Sequence, residues 1–461
     1  MYIDNFNDIN FNQKLRFKKS YIQFPIYTLK RYLAIYENSW YFKNIYGNYF
    51  CFCKGEVCLR VKNYQRSKYL FYLNIIDKNK NIYPKNHYLF VDFIFSEYSS
   101  DDTFPIFKQM EIQKYYVHYL TEKKELYQQF NFKEEKCLKI ILVNKSNYTI
   151  DGDFLQKYLT LILKIKKVIS NGGVNFDYIN NIFYNIDYIT YICVGHGVSF
   201  LKYFLYADDS CYGKKRYDKL LIPPSNILID IAKKYGWEDE NIIKINLPRW
   251  DKYNNNNLNN FKEESNIYNN SIFIMFTWRQ LKKNKFLSSL YFKNIINLIN
   301  NKKLNYEIKK KNIKVYFSLH HKLSRYQNHF KNNKYIEFIE ENTISECLSK
   351  SNLVVSDFSS IIFDYIYRRM PFIIYIPDAN EPHIDLIYDK NYFELIQSIK
   401  NGTINFINQY YEINKAINKI IFYIKNDFHL EPKFEQFYNH FNLKKNNNTK
   451  LFIKYIIKEK I

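Results

Sequence analysis

Short apolar runs alternate with helical stretches along most of this chain, which restricts it to parallel sheets covered by helices. In the first half the predicted strands are Tyr88–Phe95, Lys139–Val143, Tyr188–Val194, Asp218–Ile222 and Ile242–Ile245. In the second half they are Ser271–Phe276, Lys314–Leu319, Leu353–Ser356 and Pro371–Ile376, with helices predicted over Phe286–Asn300, Thr343–Lys350 and Ser359–Arg369. The polar, Asn-rich run Asn254–Asn270 divides the two sets as a linker or surface loop. The expected fold is α/β, with domains over residues 81–250 and 271–445 facing each other across a cleft. Residues 1–80, aromatic and basic with a hairpin-like stretch at Asn48–Val61, read as an extension or cap. Residues 446–461 read as a C-terminal helix. Its Phe452, Ile453, Ile456 and Ile457 share one face, suited to closing the core or to lying on a membrane surface.

Composition narrows the function classes. The 461 residues are 47% hydrophobic, enough to build large cores, so wholesale disorder is excluded. No apolar run reaches about 18 residues without a charge, and the start MYIDNFNDIN has no secretory pattern; a cytoplasmic protein is expected. Lys plus Arg number 68 against 45 Asp plus Glu, giving +23. Abundant Lys, Asn, Ile, Tyr and Phe are what AT-rich codons favour, so part of that charge reflects codon bias. The remainder suits polyanions: nucleotides, phosphate polymers, nucleic acid or anionic lipid. The basic residues are dispersed rather than drawn into a stripe, which counts against a nucleic-acid partner. Seven scattered cysteines have no matching pair at zinc-site spacing and read as reduced thiols, and no metal constellation is found. Asp151-Gly152-Asp153 reads as a turn and helix start.

In open α/β sheets ligands bind beyond the carboxyl ends of the strands. Five predicted strand ends carry polar groups there. Gly195-His196-Gly197-Val198-Ser199-Phe200 follows one, and Arg249 follows another in Asn246–Asp251. Thr277-Trp278-Arg279 follows the third, His320-His321 the fourth, and Ser356-Asp357-Phe358-Ser359-Ser360 the fifth. His196, between two glycines, is a candidate general base, against the plainer reading of a hydrogen-bonded loop histidine. Alternation sends His320 and His321 to opposite sides, so one should face the cleft. Arg249 and Arg279 are candidate phosphate contacts. The Ser-rich segment should open a helix and present hydroxyls and free N–H groups at its positive end, with Asp364 a turn onward, against the plainer reading of an N-cap.

Taken in order, these segments resemble the CDP-glycerol:poly(glycerophosphate) glycerophosphotransferase family. His196 through Lys202 is similar to its His-Gly-Thr-Pro-Leu-Lys, and Leu247-Pro248-Arg249-Trp250-Asp251 to its Asn-Pro-Arg-Asn-Asp. Thr277-Trp278-Arg279 is similar to its Pro-Thr-Trp-Arg, and Ser318-Leu319-His320 to its Leu-Arg-x-His. Ser356 through Asp364 is similar to its Ser-Asp-Tyr-Ser-Ser-x-x-Phe-Asp, and Pro371–Asp378 also follows its pattern. The agreement spans roughly residues 185–380. Each motif alone is loose; six in order are specific.

The resemblance implies two Rossmann-like domains in a GT-B-like arrangement, with 81–250 on the acceptor side and 271–445 binding the donor. It implies transfer of glycerol phosphate from CDP-glycerol, or a related polyol phosphate from another CDP-alcohol, to a polyol phosphate polymer or lipid-linked acceptor, releasing CMP. Catalytic roles fall on His196 and His320. Donor contacts fall on Gly197, Val198, Ser199, Phe200, Arg249, Thr277, Trp278, Ser318, Leu319, Ser359, Ser360 and Asp364. No cofactor is implied. Val198-Ser199 in place of Thr-Pro, and Ser318 where the family often has arginine, leave the donor open between glycerol, ribitol and other alcohols. Work on such an acceptor suggests a peripheral position at the inner face of the membrane, on an anionic surface. The alternatives are a GT-B glycosyltransferase using a nucleotide sugar and, further off, a nucleic-acid-binding protein.

Overall fold

The computed structural model describes residues 40–42, 49–51, 75–82, 84–92, 103–121, 138–142, 158–171, 186–195, 217–254, 270–279, 283–330, 333–339, 343–357, 359–381, 409–410, 412–441 and 443–458. They pack as two compact units. One gathers residues 1–94, 107–194 and 212–220; the other gathers 95–106, 195–211 and 221–461.

An isolated antiparallel pair joins β1 (Trp40–Phe42) to β2 (Tyr49–Cys51), so pairing begins upstream of the expected hairpin, whose residues 52–61 lie outside the described ones. The first large sheet uses β3 (His87–Asp92), β4 (Tyr116–Thr121), β5 (Leu138–Leu142), β6 (Ile165–Ser170), β7 (Thr190–Cys193), β8 (Lys219–Ile222) and β9 (Ile242–Lys244). Its order is β5-β4-β3-β6-β7-β8-β9, and the pairs from β5 to β8 are parallel. The second sheet uses β10 (Ser271–Phe276), β11 (Lys314–Leu319), β12 (Glu337–Phe338), β13 (Leu353–Ser356), β14 (Phe372–Tyr375) and β15 (Gln409–Tyr410). Its order is β12-β11-β10-β13-β14-β15, parallel throughout. Both sheets therefore start in the middle, wind outward one way, then return to wind the other, which is the doubly wound Rossmann order. In the second sheet the order reverses between β10 and β13.

The residues explain this geometry. β13 (LVVS) and β14 (FIIY) are buried at every position, as strands covered on both faces must be. Helix α1 (Phe104–Ile112) comes first; the longer helices of the second unit are α2 (Asn226–Lys234), α3 (Leu290–Ile299), α4 (Lys302–Lys310), α5 (Ile344–Lys350), α6 (Ile362–Arg368), α7 (Ile413–Lys425), α8 (Pro432–Phe441) and α9 (Asn448–Lys458). The helix expected over Phe286–Asn300 is divided. Lys283–Phe286 forms one turn, and Ser289 then caps α3, its hydroxyl oxygen accepting from the Phe292 N–H at 3.2 Å. Serine competes for backbone groups inside a helix but is favoured at its start. Asn301 caps α4 in the same way, at 3.0 Å from the Leu304 N–H.

Helix α9 is a closing helix, with Phe452, Ile453 and Ile456 buried. Its first backbone N–H groups, those of Asn448 and Thr449, donate to the two Asp251 oxygens at 2.7 Å each. The face read as a possible membrane surface is turned into the protein. Among the described residues no helix is long and apolar enough to cross a membrane. Cys193 and Cys347 are free and buried. The expected loop 255–269, the Asp151–Asp153 turn and most of residues 1–80 lie outside the described residues.

Candidate active site

The carboxyl edge of the second sheet collects most of the expected site residues. Parallel pairing places the ends of β11, β10, β13 and β14 side by side in that order. At or just past those ends stand Leu319-His320, Thr277-Trp278-Arg279, Asp357 with Ser359-Ser360, and Asp378. The order reversal falls between the Thr277 and Asp357 segments, the place where an open α/β sheet leaves a crevice for a ligand.

Trp278 and His320 lie next to each other across the β10–β11 pair. Both are half-buried, with ring centroids 6.2 Å apart and planes at 43°. Ser318 is buried opposite Met275, and Leu319 is half-buried. On the other side of the reversal, Asp357 reaches back across the sheet. Its carboxylate accepts the Thr277 N–H at 3.0 and 3.2 Å and the Thr277 hydroxyl at 2.8 Å. It also accepts Arg279 Nη1 at 2.9 Å.

Arg279 is not exposed to a ligand. Its Nε and Nη2 donate to the two Asp378 oxygens at 2.7 and 2.8 Å, and Nη1 also donates to the Thr277 carbonyl at 2.8 Å. The guanidinium lies over the Tyr291 ring, 4.6 Å from its centroid, and its side chain is 0% exposed. Burial works against its charge, but Asp357 and then Asp378 more than offset that, so its pKa stands above the ordinary arginine value. The expected phosphate contact at Arg279 is therefore replaced by a buried cross-link between three strand ends. A guanidinium with its fork on a carboxylate has those donors occupied.

The serine segment also differs from expectation. Helix α6 starts only at Ile362, and Ile361 stands at its cap without a side-chain bond. Ser359 and Ser360 lie in the turn before it, their carbonyls accepting from the Ile362 and Phe363 N–H groups. Ser359 is buried and Ser360 half-buried. The acid that would have served as a cap, Asp357, is committed to Thr277 and Arg279 instead.

Arg249 and Asp364 meet, at Nη2–Oδ2 3.0 Å. Arg249 sits on a 3-10 helix, Pro248–Tyr253, and Asp364 on α6. The other Asp364 oxygen accepts the Trp250 indole at 3.0 Å and the Tyr253 hydroxyl at 3.3 Å. Burial, then the Asp364 charge, push the Tyr253 hydroxyl well above its usual pKa. His196, Gly197, Val198, Ser199 and Phe200 lie outside the described residues, just past Gly195, whose φ of +71° suits glycine.

Sequence reasoning passed over Tyr291 and Tyr253, and quoted Trp250, Asp357 and Asp378 within motifs without giving them a role. One signal could have found the two acids: each follows a predicted strand within three residues, on β13 beside β10 and on β14 next beyond it. Among the described residues no group of three or more His, Cys, Asp or Glu is placed to hold a metal ion.

Two doubly wound sheets, one carrying this cluster on its carboxyl edge, define a two-domain Rossmann-like fold of the GT-B class. The family pattern described as CDP-Glycerol:Poly(glycerophosphate) glycerophosphotransferase matches residues 83–451, and the chain belongs to that family. It is 28% identical over 238 residues to the minor teichoic acid biosynthesis protein GgaB of Bacillus subtilis (strain 168). That match takes in 48% of this chain and 24% of GgaB, so the chain aligns with about a quarter of that relative's length. The fold is similar to the wall teichoic acid polymerase TagF, with a TM-score of 0.56 at 16% identity over 88% of this chain and 98% of TagF. A TagF variant with CDPG gives 0.58 at 15% identity, over 87% and 96%.

Proposed function

We propose that this protein transfers glycerol phosphate, or a related polyol phosphate, from a CDP-alcohol to a hydroxyl of a cell-surface polymer or lipid-linked acceptor. Family membership over residues 83–451 is the observation that carries the reading. The TagF structure with CDPG, and the gathering of Thr277, Trp278, His320, Ser359 and Ser360 at one sheet edge, support it. Residues 271–445 then hold the donor and 81–250 the acceptor side.

In this reading the acceptor oxygen attacks the distal phosphorus of the donor. A new P–O bond forms, the bond from that phosphorus to the bridging oxygen breaks, and CMP leaves with the bridging oxygen. The hydroxyl proton passes to His196. His320, Arg249 and the Ser359–Ser360 turn stabilise charge building on the phosphoryl oxygens. Arg249 suits this role because Asp364 fixes its Nη2. Gly197, Val198, Ser199, Phe200, Trp278 and Leu319 contact the donor, and Ser318, which is buried, supports the strand end from which Leu319 and His320 project. No cofactor takes part, and nucleic acid is not a partner.

The test is to incubate the protein with CDP-glycerol, CDP-ribitol, UDP-glucose and GDP-mannose and a short glycerol phosphate acceptor, and to assay the released nucleotide. CMP from one CDP-alcohol is the expected result; UDP or GDP release would instead make the protein a glycosyltransferase. Replacing His196 or His320 by alanine should abolish transfer, and full activity in either variant would remove that residue from the mechanism.

A further inference from the structure

We propose that Asp357, Arg279 and Asp378 are positioning residues whose task is to hold Trp278 against His320. The inference rests on the reading of this sheet edge as the donor site, and it assigns work to residues that cannot touch the donor.

Energetics give the first argument. Three charged side chains are wholly buried here, at relative exposures of 2% for Arg279, 0% for Asp357 and 1% for Asp378. Two carboxylates meet one guanidinium there, Arg279 bonding both Asp357 and Asp378. Buried ion pairs seldom stabilise more than apolar side chains of the same volume would. Phe276, Val355 and Tyr375, on the strands that lead to them, are buried and show that the core closes well with apolar groups. Stability alone therefore does not account for the cluster.

Geometry gives the second. Trp278 is the one residue between Thr277 and Arg279, and both neighbours are fixed on several sides. Thr277 is held through its N–H, hydroxyl and carbonyl by Asp357, Arg279 and the Tyr291 hydroxyl, the last at 2.9 Å. Arg279 is held by a two-pronged contact that permits one orientation. The Asp378 turn is fixed in its own right, since Asn294 of α3 donates to the Pro377 carbonyl at 2.6 Å. The chain between those anchors has little freedom, and it presents the half-buried indole to His320. Asp357 and Asp378 come from the strands beyond β10 while His320 comes from β11, so the cluster ties one side of the sheet reversal to the other.

Fluorine NMR of the full chain labelled with 5-fluorotryptophan tests this without any donor. The four tryptophans give separate probes, and Trp278→Phe assigns the relevant line. Arg279→Lys keeps the charge but loses the fork. It should shift or broaden the Trp278 line while the Trp237 and Trp250 lines stay in place. It should also lower kcat for CMP release roughly tenfold or more, with a smaller change in donor KM, because misplacement of about an ångström is costly to the chemical step. Asp378→Asn, which keeps the side-chain shape and one acceptor oxygen, is the second variant and should move the same line should the lysine protein not fold. An unmoved Trp278 line, or all lines moving together, overturns the proposal. If the line moves but the unaltered protein releases no CMP, the functional reading fails and the positioning role stands.

Discussion

The two oxygens of Asp364 serve a guanidinium, an indole and a phenol, and the carboxylate is only 4% exposed. Replacing Asp364 by alanine takes this acceptor from a partly buried Arg249 and from two buried donors. A broken buried pair costs about 3–5 kcal/mol. Urea unfolding should show the unfolding free energy lowered by that amount, as an earlier midpoint with little change in slope, and Asp364→Asn, which keeps an acceptor for Trp250, should lose less. An unfolding free energy within about 0.5 kcal/mol of the unaltered protein, the ordinary surface range, would mean that Asp364 holds nothing. Much of this site was legible one residue at a time. Thr277, Trp278, His320 and Asp364 stood out because polar groups directly after a strand, or a turn beyond, are placed at the ligand edge. The roles of Arg279 and Asp357 were not legible. Their partners lie 78 and 99 residues away in sequence for Arg279, and 80 for Asp357, separations that carry no local periodicity. An arginine after a strand reads the same whether it meets phosphate or a carboxylate.

The elements show the same division. Strands β10, β11 and β13 fall on the boundaries that their unbroken apolar runs predict. Strands β4 (YVHYLT) and β6 (IKKVIS) escaped because His118 and Lys167 interrupt their runs, yet both side chains are buried, at 8% and 1% exposed. Strand β4 carries a second consequence. His118 Nε2 lies 2.7 Å from His87 Nδ1 of β3, and the His87 ring stacks on both His118 and Tyr116. Burial, then the charge of Lys164, lower the His87 pKa from 6.5 to about 4. The folded chain therefore binds fewer protons than the unfolded chain between those values. Stability from this residue is complete above about pH 6.5 and declines as pH falls toward about 4. Thermal melts across that window should show the midpoint dropping on acidification, and His87→Phe should flatten part of the slope. Identical slopes would exclude His87 as the titrating group.

At the scale of the whole molecule, the alternation of strands and helices was enough to specify two α/β sheets, and their shared winding order follows from parallel pairing with helical crossovers. The +23 charge belongs to this scale too. If the protein works at an anionic membrane face, as the proposed acceptor suggests, sedimentation with phosphatidylglycerol vesicles should weaken steeply as salt rises. Binding insensitive to salt would count against that placement. The order of synthesis is constrained by the cap on α9. Asp251 leaves the ribosome 197 residues before Asn448, the first backbone group it will cap. Until then the segment that carries Arg249, Trp250 and Tyr253 lacks one of its anchors. The first sheet's strands are all translated by then, since β9 ends at Lys244. The nascent chain can thus complete one sheet while the second unit waits for its last helix, and chaperones would meet that unit in a partly open form.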